Sequence, residues 1–226
     1  MERRFQSLIV GRVECDEVWQ FIFCKQKTTD RKGYGHETGD SYLWTGIERD
    51  TKLLFCWHFG KRTGWDAEAF CDKLDRATVG RFQLSTDAFS AYPNAIARRM
   101  SGRVDYGQVV KIFGHERDDH QRRYSPGTII ECRKQAVYGS PRNEDICTSH
   151  CERHNLSCRT FLRRMTRLSL GFSKKWANHE AAVALFLAHY NFCRVHRTIK
   201  TTPAVAHGLE AEPWTLRKLL EVTAGK

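Results

Sequence analysis

The segment LIVGRVECDEVWQFIFC, residues 8–24, constrains the chain most, because it is a β-branched and aromatic run with an aspartate at its centre. Within it Val13, Cys15, Glu17 and Trp19 alternate with Glu14, Asp16, Val18 and Gln20, so the two sets face opposite sides of a strand. Aspartate is depleted in strands, so Asp16 among apolar neighbours needs a reason. SYLWTGIERD and TKLLFCWHFG predict two further strands, turning at Arg49-Asp50-Thr51, and an antiparallel meander with the first. Residues 25–40, polar and rich in glycine and charge, predict a loop or long hairpin tip.

The later chain alternates helix and strand. Residues 66–78 carry Phe70 and Leu74 at helical spacing, with Asp66 placed to cap the start. RFQLSTD predicts a short strand ending on Asp87, AFSAYPNAIARRM a helix or turn, and GRVDYGQVVKIF another strand. Residues 113–148 read as an insertion of loop and short strands, and 149–170 and 174–195 as two long helices, the second buried. This order predicts an α/β fold, a mixed sheet flanked by helices. Residues 1–210 form one domain with the insertion at about 113–148, and 211–226 form a C-terminal helical tail.

The chain has 37 Lys and Arg against 26 Asp and Glu, a formal net charge of +11. Such a surplus favours a polyanion, because each neutralised phosphate releases counterions. A hydrophobic content of 41% with 12% aromatic residues excludes a disordered chain. No apolar run approaches the length of a membrane span, and the start Met-Glu-Arg-Arg-Phe is charged. Reduced thiols in a cytoplasmic compartment account for nine cysteines. Zinc competes for Cys132, Cys147, His150, Cys151, His154 and Cys158, but no CxxC pair occurs, and structural zinc sites ordinarily show two.

Three acids stand out by context. Asp16 lies mid-strand, Asp87 ends a strand before a turn, and Glu152 opens a basic helix, where the dipole favours an anion. Glu14 shares the face of Asp16 and competes for its role, whereas Glu17 should point away. An acid taken singly is ordinarily a solvated surface group. Three on a rigid sheet and a neighbouring helix instead suit two-metal phosphoryl transfer, with two divalent ions roughly 3.5–4 Å apart. Carboxylate ligands suit magnesium.

The segment from Glu152, ERHNLSCRTFLRRMTRLSLGFSKKW, closely resembles the catalytic-glutamate helix of the insertion sequence one family of bacterial transposases. ECDEVWQF around Asp16 and STDAFSAY around Asp87 resemble the family's other two acidic motifs, in order, and AHYNFCRVHRTIKTTPAVAHGL is similar to an ending shared by many DDE-type transposases. Together these motifs span most of residues 12–208. The resemblance implies a ribonuclease-H-like fold and an Asp16, Asp87 and Glu152 triad holding two Mg2+ (or Mn2+) ions. It also implies cleavage at transposon ends, strand transfer into target DNA, and a homo-oligomer. Arg159 stands seven residues after Glu152, two turns on and on the same face, where such enzymes place a cation near the scissile phosphate. Family members carry a zinc-binding and helix-turn-helix region before the first aspartate. Only 15 residues precede Asp16 here, so the resemblance leaves open a separate reading frame, a truncated copy or one part of a frameshifted product, with a separate end-recognition protein as one candidate partner. The separation of Asp87 and Glu152, 65 residues, is longer than in many DDE enzymes, and the insertion at 113–148 accounts for it.

Arg159, Arg163, Arg164 and Arg167, followed by Lys174 and Lys175, predict a cationic track along one side of the Glu152 helix and the turn after it. Beside an acidic triad such a track suits the DNA backbone, with Arg159, Arg163, Lys174 and Lys175 as the contacts, and a solvated helix face is the plainer alternative. His154 and Asn155 orient Glu152 or the substrate, or face solvent. Trp19, Trp44 and Trp57 are expected in the core rather than as base-stacking platforms. Tyr190, Asn191, Arg194 and His196 are expected to brace the last helix against the sheet. Two other activities fit the same residues: a nuclease without strand transfer, and a non-catalytic DNA-binding remnant that regulates transposition.

Overall fold

Two adjacent parallel strands carry the two aspartates, and everything else holds them in place. The computed structural model of the chain describes residues 4–114, 128–167 and 169–225. The run expected over 8–24 divides into β1 (Leu8–Ile9) and β2 (Arg12–Ile22). The meander follows as expected, with β3 (Gly39–Glu48) antiparallel to β2 and β4 (Leu54–Gly60) antiparallel to β3. After α2 (Gly64–Ala77) and β5 (Thr78–Val79) come β6 (Phe82–Asp87), α3 (Tyr92–Met100) and β7 (Val104–Phe113). β6 pairs parallel with β2 on one side and with β7 on the other. The main sheet is mixed and six-stranded, in the order β4-β3-β2-β6-β7-β8, where β8 is Ile129–Tyr138, and β1 pairs with β5 in a small second sheet.

Strand alternation sends Val13, Cys15, Leu84, Val104 and Tyr106 to one face, against Phe70 and Leu74 of α2 and Ile96 of α3. The other face sends Val18, Ile22 and Leu43 against α4 (Ser149–Phe161) and α5 (Trp176–Ala188). Both layers are dry, with Trp44, Phe70, Leu74, Ile22 and Leu43 essentially inaccessible, so hydrophobic burial drives the layering.

Several elements differ from the sequence expectation. The loop over 25–40 contains a helix, α1 (Gln26–Lys32), braced by a Gln26–Asp30 bond of 2.8 Å and ended by Gly33 at φ 64, a left-handed cap that glycine adopts without strain. Helix α2 begins earlier than Asp66: Thr63 is its cap, and Asp66 donates its backbone N–H to Thr63 Oγ1 at 3.2 Å. Within 113–148, residues 115–127 lie outside the described residues, but 129–138 are not short pieces. They form the long edge strand β8, antiparallel to β7. Its side chains are mostly exposed, with charges at Glu131, Arg133 and Lys134, which protects an edge against further pairing, and the exposure hides the period-two signal.

Each of the two long helices is shorter than expected, at 13 residues. Leu162 leaves α4 in an extended conformation, and a single 3₁₀ turn, Arg163–Met165, drops Met165 into the core. α5 ends in a π-helical turn, His189–Cys193, whose Asn191 amide bonds both backbone groups of Leu54, at 2.7 and 3.0 Å. That is the bracing role expected of the Tyr190–His196 segment. The C-terminal residues join the core too. After α6 (Pro203–Ala206), Trp214 stacks on Phe192 at 4.4 Å, and Leu219 of α7 (Leu216–Thr223) is buried. Among the described residues no helix is long and apolar enough to cross a membrane.

Candidate active site

The parallel register aligns the two aspartates. Arg12 lies opposite Gln83, Val13 opposite Leu84 and Glu14 opposite Ser85, and continuing that offset of 71 (83 − 12 = 71) sets Asp16 beside Asp87, just past the last paired residues. Both project on the α4 side of the sheet. An open cleft of about 530 Å³ there is lined by Asp16, Asp87 and Glu152, with Arg62 and Lys111.

α4 is anchored by an acid expected to compete for the site. The buried Glu14 carboxylate accepts from the backbone N–H of His150 at 2.7 Å and of Cys151 at 3.3 Å, and from His150 Nδ1 at 2.7 Å. It thus satisfies orphan donors at a positive helix end. Glu14 is a helix anchor rather than a rival of Asp16. The chain leading into α4 is held by Asp145, which pairs with Arg12 at 2.8 Å and Arg49 at 3.1 Å. It also runs close over β7: a Cβ at Gly107 would lie 2.5 Å from Ile146, so only glycine permits the approach.

Alternation puts Glu17 on the α3 side, as expected, but its carboxylate reaches back. Oxygen atoms of Asp16, Glu17 and Asp87 all lie within 4.8 Å of one another. Arg62 bridges this group, 2.6 Å from Glu17 Oε1 and 3.4 Å from Asp87 Oδ2, and packs 4.2 Å over the Phe89 ring. The Tyr92 hydroxyl donates to Glu17 Oε2 at 3.0 Å. Burial, then the charges of Glu17 and Asp87, push the Asp16 carboxyl up to about 8. Burial and then Asp87 raise Glu17, against the opposing Arg62. Like charges packed out of water disfavour ionisation. Such a donor set carries more negative charge than Arg62 offsets, and hard oxygens at this spacing fit a divalent cation such as magnesium.

Glu152 faces the same cleft from α4 and contributes to the field at Asp16. Its carboxylate is ion-paired to Lys111 on β7 and accepts from Thr148 Oγ1 at 2.9 Å, so it stands apart from the tight group of three. Asn155, one turn on, orients Asp16 rather than Glu152, donating from Nδ2 to Asp16 Oδ2 at 2.7 Å. His154 turns away into the core, 3.2 Å from Cys158 Sγ, and burial followed by the charge of His196 pushes its pKa down to about 3.

Arg159 lies half-buried on the same helix, near enough to Asp16 and Arg167 to feel both charges. Its Nε has no hydrogen-bond partner among the described residues. The remaining basic run is not on the helix, which stops at Phe161. Arg163 is exposed on the 3₁₀ turn, Lys174 sits 3.1 Å over the Phe172 ring, and Lys175 immediately precedes α5. Trp44 and Trp57 are buried as expected, but Trp19 is only half-buried and lines a separate cavity.

Sequence reasoning missed Arg62, Lys111, Tyr92 and the convergence of Glu17. The aromatic Phe89 two residues after Asp87 is the only local hint of Arg62, since a cation over a ring is a common pairing. Comparison of the chain with protein-family models, with curated proteins and with solved structures gives no match.

Proposed function

We propose that this chain is the catalytic core of a DDE-type transposase with a ribonuclease-H-like fold, related to the insertion sequence one family. The observation that carries the reading is the register-aligned pair Asp16 and Asp87 at the ends of parallel pairing, with Glu152 facing them across one cleft. Asp16 and Asp87 would hold both divalent ions and Glu152 would complete one site. Glu17 lies close enough to join them. Magnesium or manganese, once bound, supplies the Lewis acidity that activates an attacking oxygen and stabilises the departing one.

The chain's own groups do the rest. Asn155 fixes the Asp16 carboxylate, Arg62 keeps Glu17 and Asp87 from splaying, and Arg159 draws a phosphate toward the acids. Arg163, Lys174 and Lys175 lie outward of the cleft as exposed cations suited to further phosphates, where contacts position DNA without reading it. Water first cleaves the strand, and the freed 3′-hydroxyl then attacks target DNA. The carboxylates are ligands and not nucleophiles, so no protein–DNA covalent bond forms.

The test uses the purified chain with magnesium on blunt and pre-nicked DNA. Joined strands are expected, and Asp87→Asn lowers product formation by at least about a hundredfold while DNA retardation is unchanged. Nicks without joining would identify a nuclease, and retardation without cleavage a regulator of transposition. Wild-type cleavage by Asp87→Asn would defeat the assignment.

A further inference from the structure

The two sides of α4 differ in what they face. Glu152 faces the acidic cleft, whereas His150, Arg153 and Ser157 stand about 100–160° round the helix from it at 3.6 residues per turn. With the β3–β4 turn and residues 194–198 they border a second cavity, of about 320 Å³. Lys52, Arg153, Arg194 and Arg197 line it, and none has a carboxylate within ion-pairing distance among the described residues. That departs from the rest of the chain, where Arg12, Arg49, Arg62, Arg81, Arg98 and Arg103 are each ion-paired. Glu14, whose charge reaches Lys52, is already taken by His150 and the first turn of α4.

The local structure holds these cations in place. The β3–β4 turn closes with the Glu48 N–H donating to the Leu53 C=O at 2.8 Å, and inside it Lys52 adopts φ 63. Glycine takes that left-handed backbone without strain and lysine does not, so the turn itself gives no reason for a lysine. Lys52 Nζ donates to the Arg49 C=O at 2.7 Å, and two of its three N–H groups remain for a ligand. The Arg194 guanidinium packs 4.4 Å over the Phe161 ring. The loop after it is tied by His196 N–H to Thr201 C=O and Lys200 N–H to His196 C=O, both 2.8 Å. Burial and, against a Tyr190 backbone bond, the charges of Arg194 and Lys52 hold His196 below its ordinary pKa, so both cations stand close to one ring.

Like charges gathered without a counter-charge repel, and an anion that meets several at once relieves them. A phosphate accepts from guanidinium and ammonium donors together, and a duplex carries one such charge per about 1.7 Å of its axis. We propose that this cavity is a second DNA-backbone site, holding phosphates of a duplex other than the one cleaved. α4, about 10–12 Å across with its side chains, separates it from the acids, so the two DNA segments lie on opposite sides of one helix. That the occupant is the strand-transfer target rests on the reading above, whereas affinity for backbone phosphate does not.

Binding of a labelled duplex is measured by fluorescence anisotropy in EDTA, with chemistry switched off, across a series of salt concentrations. Each phosphate contact adds about 0.9 to the slope of log affinity against log salt. Lys52→Gly with Arg197→Gln is expected to flatten the wild-type slope by about 1.8. Arg31→Gln with Arg217→Gln, exposed cations outside the cavity, should change it by under about 0.5. Equal slopes in wild type and the cavity variant overturn the proposal, as does equal flattening by both variants, the mark of a diffuse effect of net charge. Lys52→Gly relieves a left-handed residue and should melt no lower than wild type. If it melts lower, Arg153→Gln with Arg197→Gln decides, since both are exposed. In strand-transfer assays with magnesium, the cavity variant should keep cleavage within about twofold and join strands about tenfold less at limiting target, recovering as target is raised. Equal loss of cleavage and joining would put the cleaved duplex here and overturn the proposal. A flattened slope without any DNA product keeps the phosphate site and loses the transposase reading, and strand transfer with an unchanged slope does the reverse.

Discussion

Asn155 on α4 donates its amide to Asp16 on β2 at 2.7 Å, linking the helix that carries Glu152 to the strand that carries the first aspartate. Together with the backbone N–H of Glu17, which donates to Asp16 Oδ1 at 2.8 Å, this bond sets the orientation of the Asp16 carboxylate. Asn155→Ala is expected to lower single-turnover DNA cleavage about 10- to 100-fold, the usual effect of losing an orienting partner of a metal ligand. Thermal stability should change little, because the site is at the cleft wall. Unchanged cleavage would show that Asp16 is positioned by the strand alone.

The packed acids predict a cation-dependent stability. At pH 8 magnesium at about 100 times its Kd should stabilise the fold by about 2.7 kcal/mol, raising Tm by about 5–10 °C for a chain of this size. Asp16→Asn should abolish that increment. Scanning calorimetry with and without magnesium checks it, and an equal rise in the variant would put the ion elsewhere.

Asn191 is buried and bonds both the N–H and the C=O of Leu54. Asn191→Leu leaves two buried backbone groups on β4 unpaired, at an expected cost of about 2–4 kcal/mol. Urea unfolding measures it. A loss under about 0.5 kcal/mol would mean that water reaches this edge.

His179 is fully buried, 2.7 Å from Ser173 Oγ, and burial followed by the charge of Arg164 pushes its pKa down to about 4. A depressed folded value means that the neutral ring is favoured on folding. The stabilisation is therefore complete above the unfolded value of about 6.5 and is lost as pH falls toward 4, an effect of up to about 3 kcal/mol. Stability of wild type and His179→Gln, measured from pH 7.5 to 4, should converge at the acid end. Parallel curves would show that other groups dominate acid unfolding.

Legibility differed from residue to residue. Asp16 was readable because an aspartate amid β-branched and aromatic residues contradicts local propensity, and Asp87 because a strand ends on it. Edge strand β8 was missed because exposure on both faces erases alternation. The ends of α4 and α5 were missed because a buried Met165 and a bonded Asn191 stop them, and neither tertiary partner is near in sequence.

By itself the sequence determined the local faces: Glu14 and Asp16 on one side of β2, Cys15 and Glu17 on the other, a meander before β6, and a helix opening near Glu152. Period and propensity act over a few residues and need no partner. Only the tertiary structure decided that β6 lies beside β2 in the register that aligns Asp16 with Asp87. It alone turned Glu14 into the anchor of α4 and drew Glu17 back toward the cleft through Arg62 and Tyr92. Those outcomes depend on which distant surfaces exclude water together, and no window of sequence contains that choice.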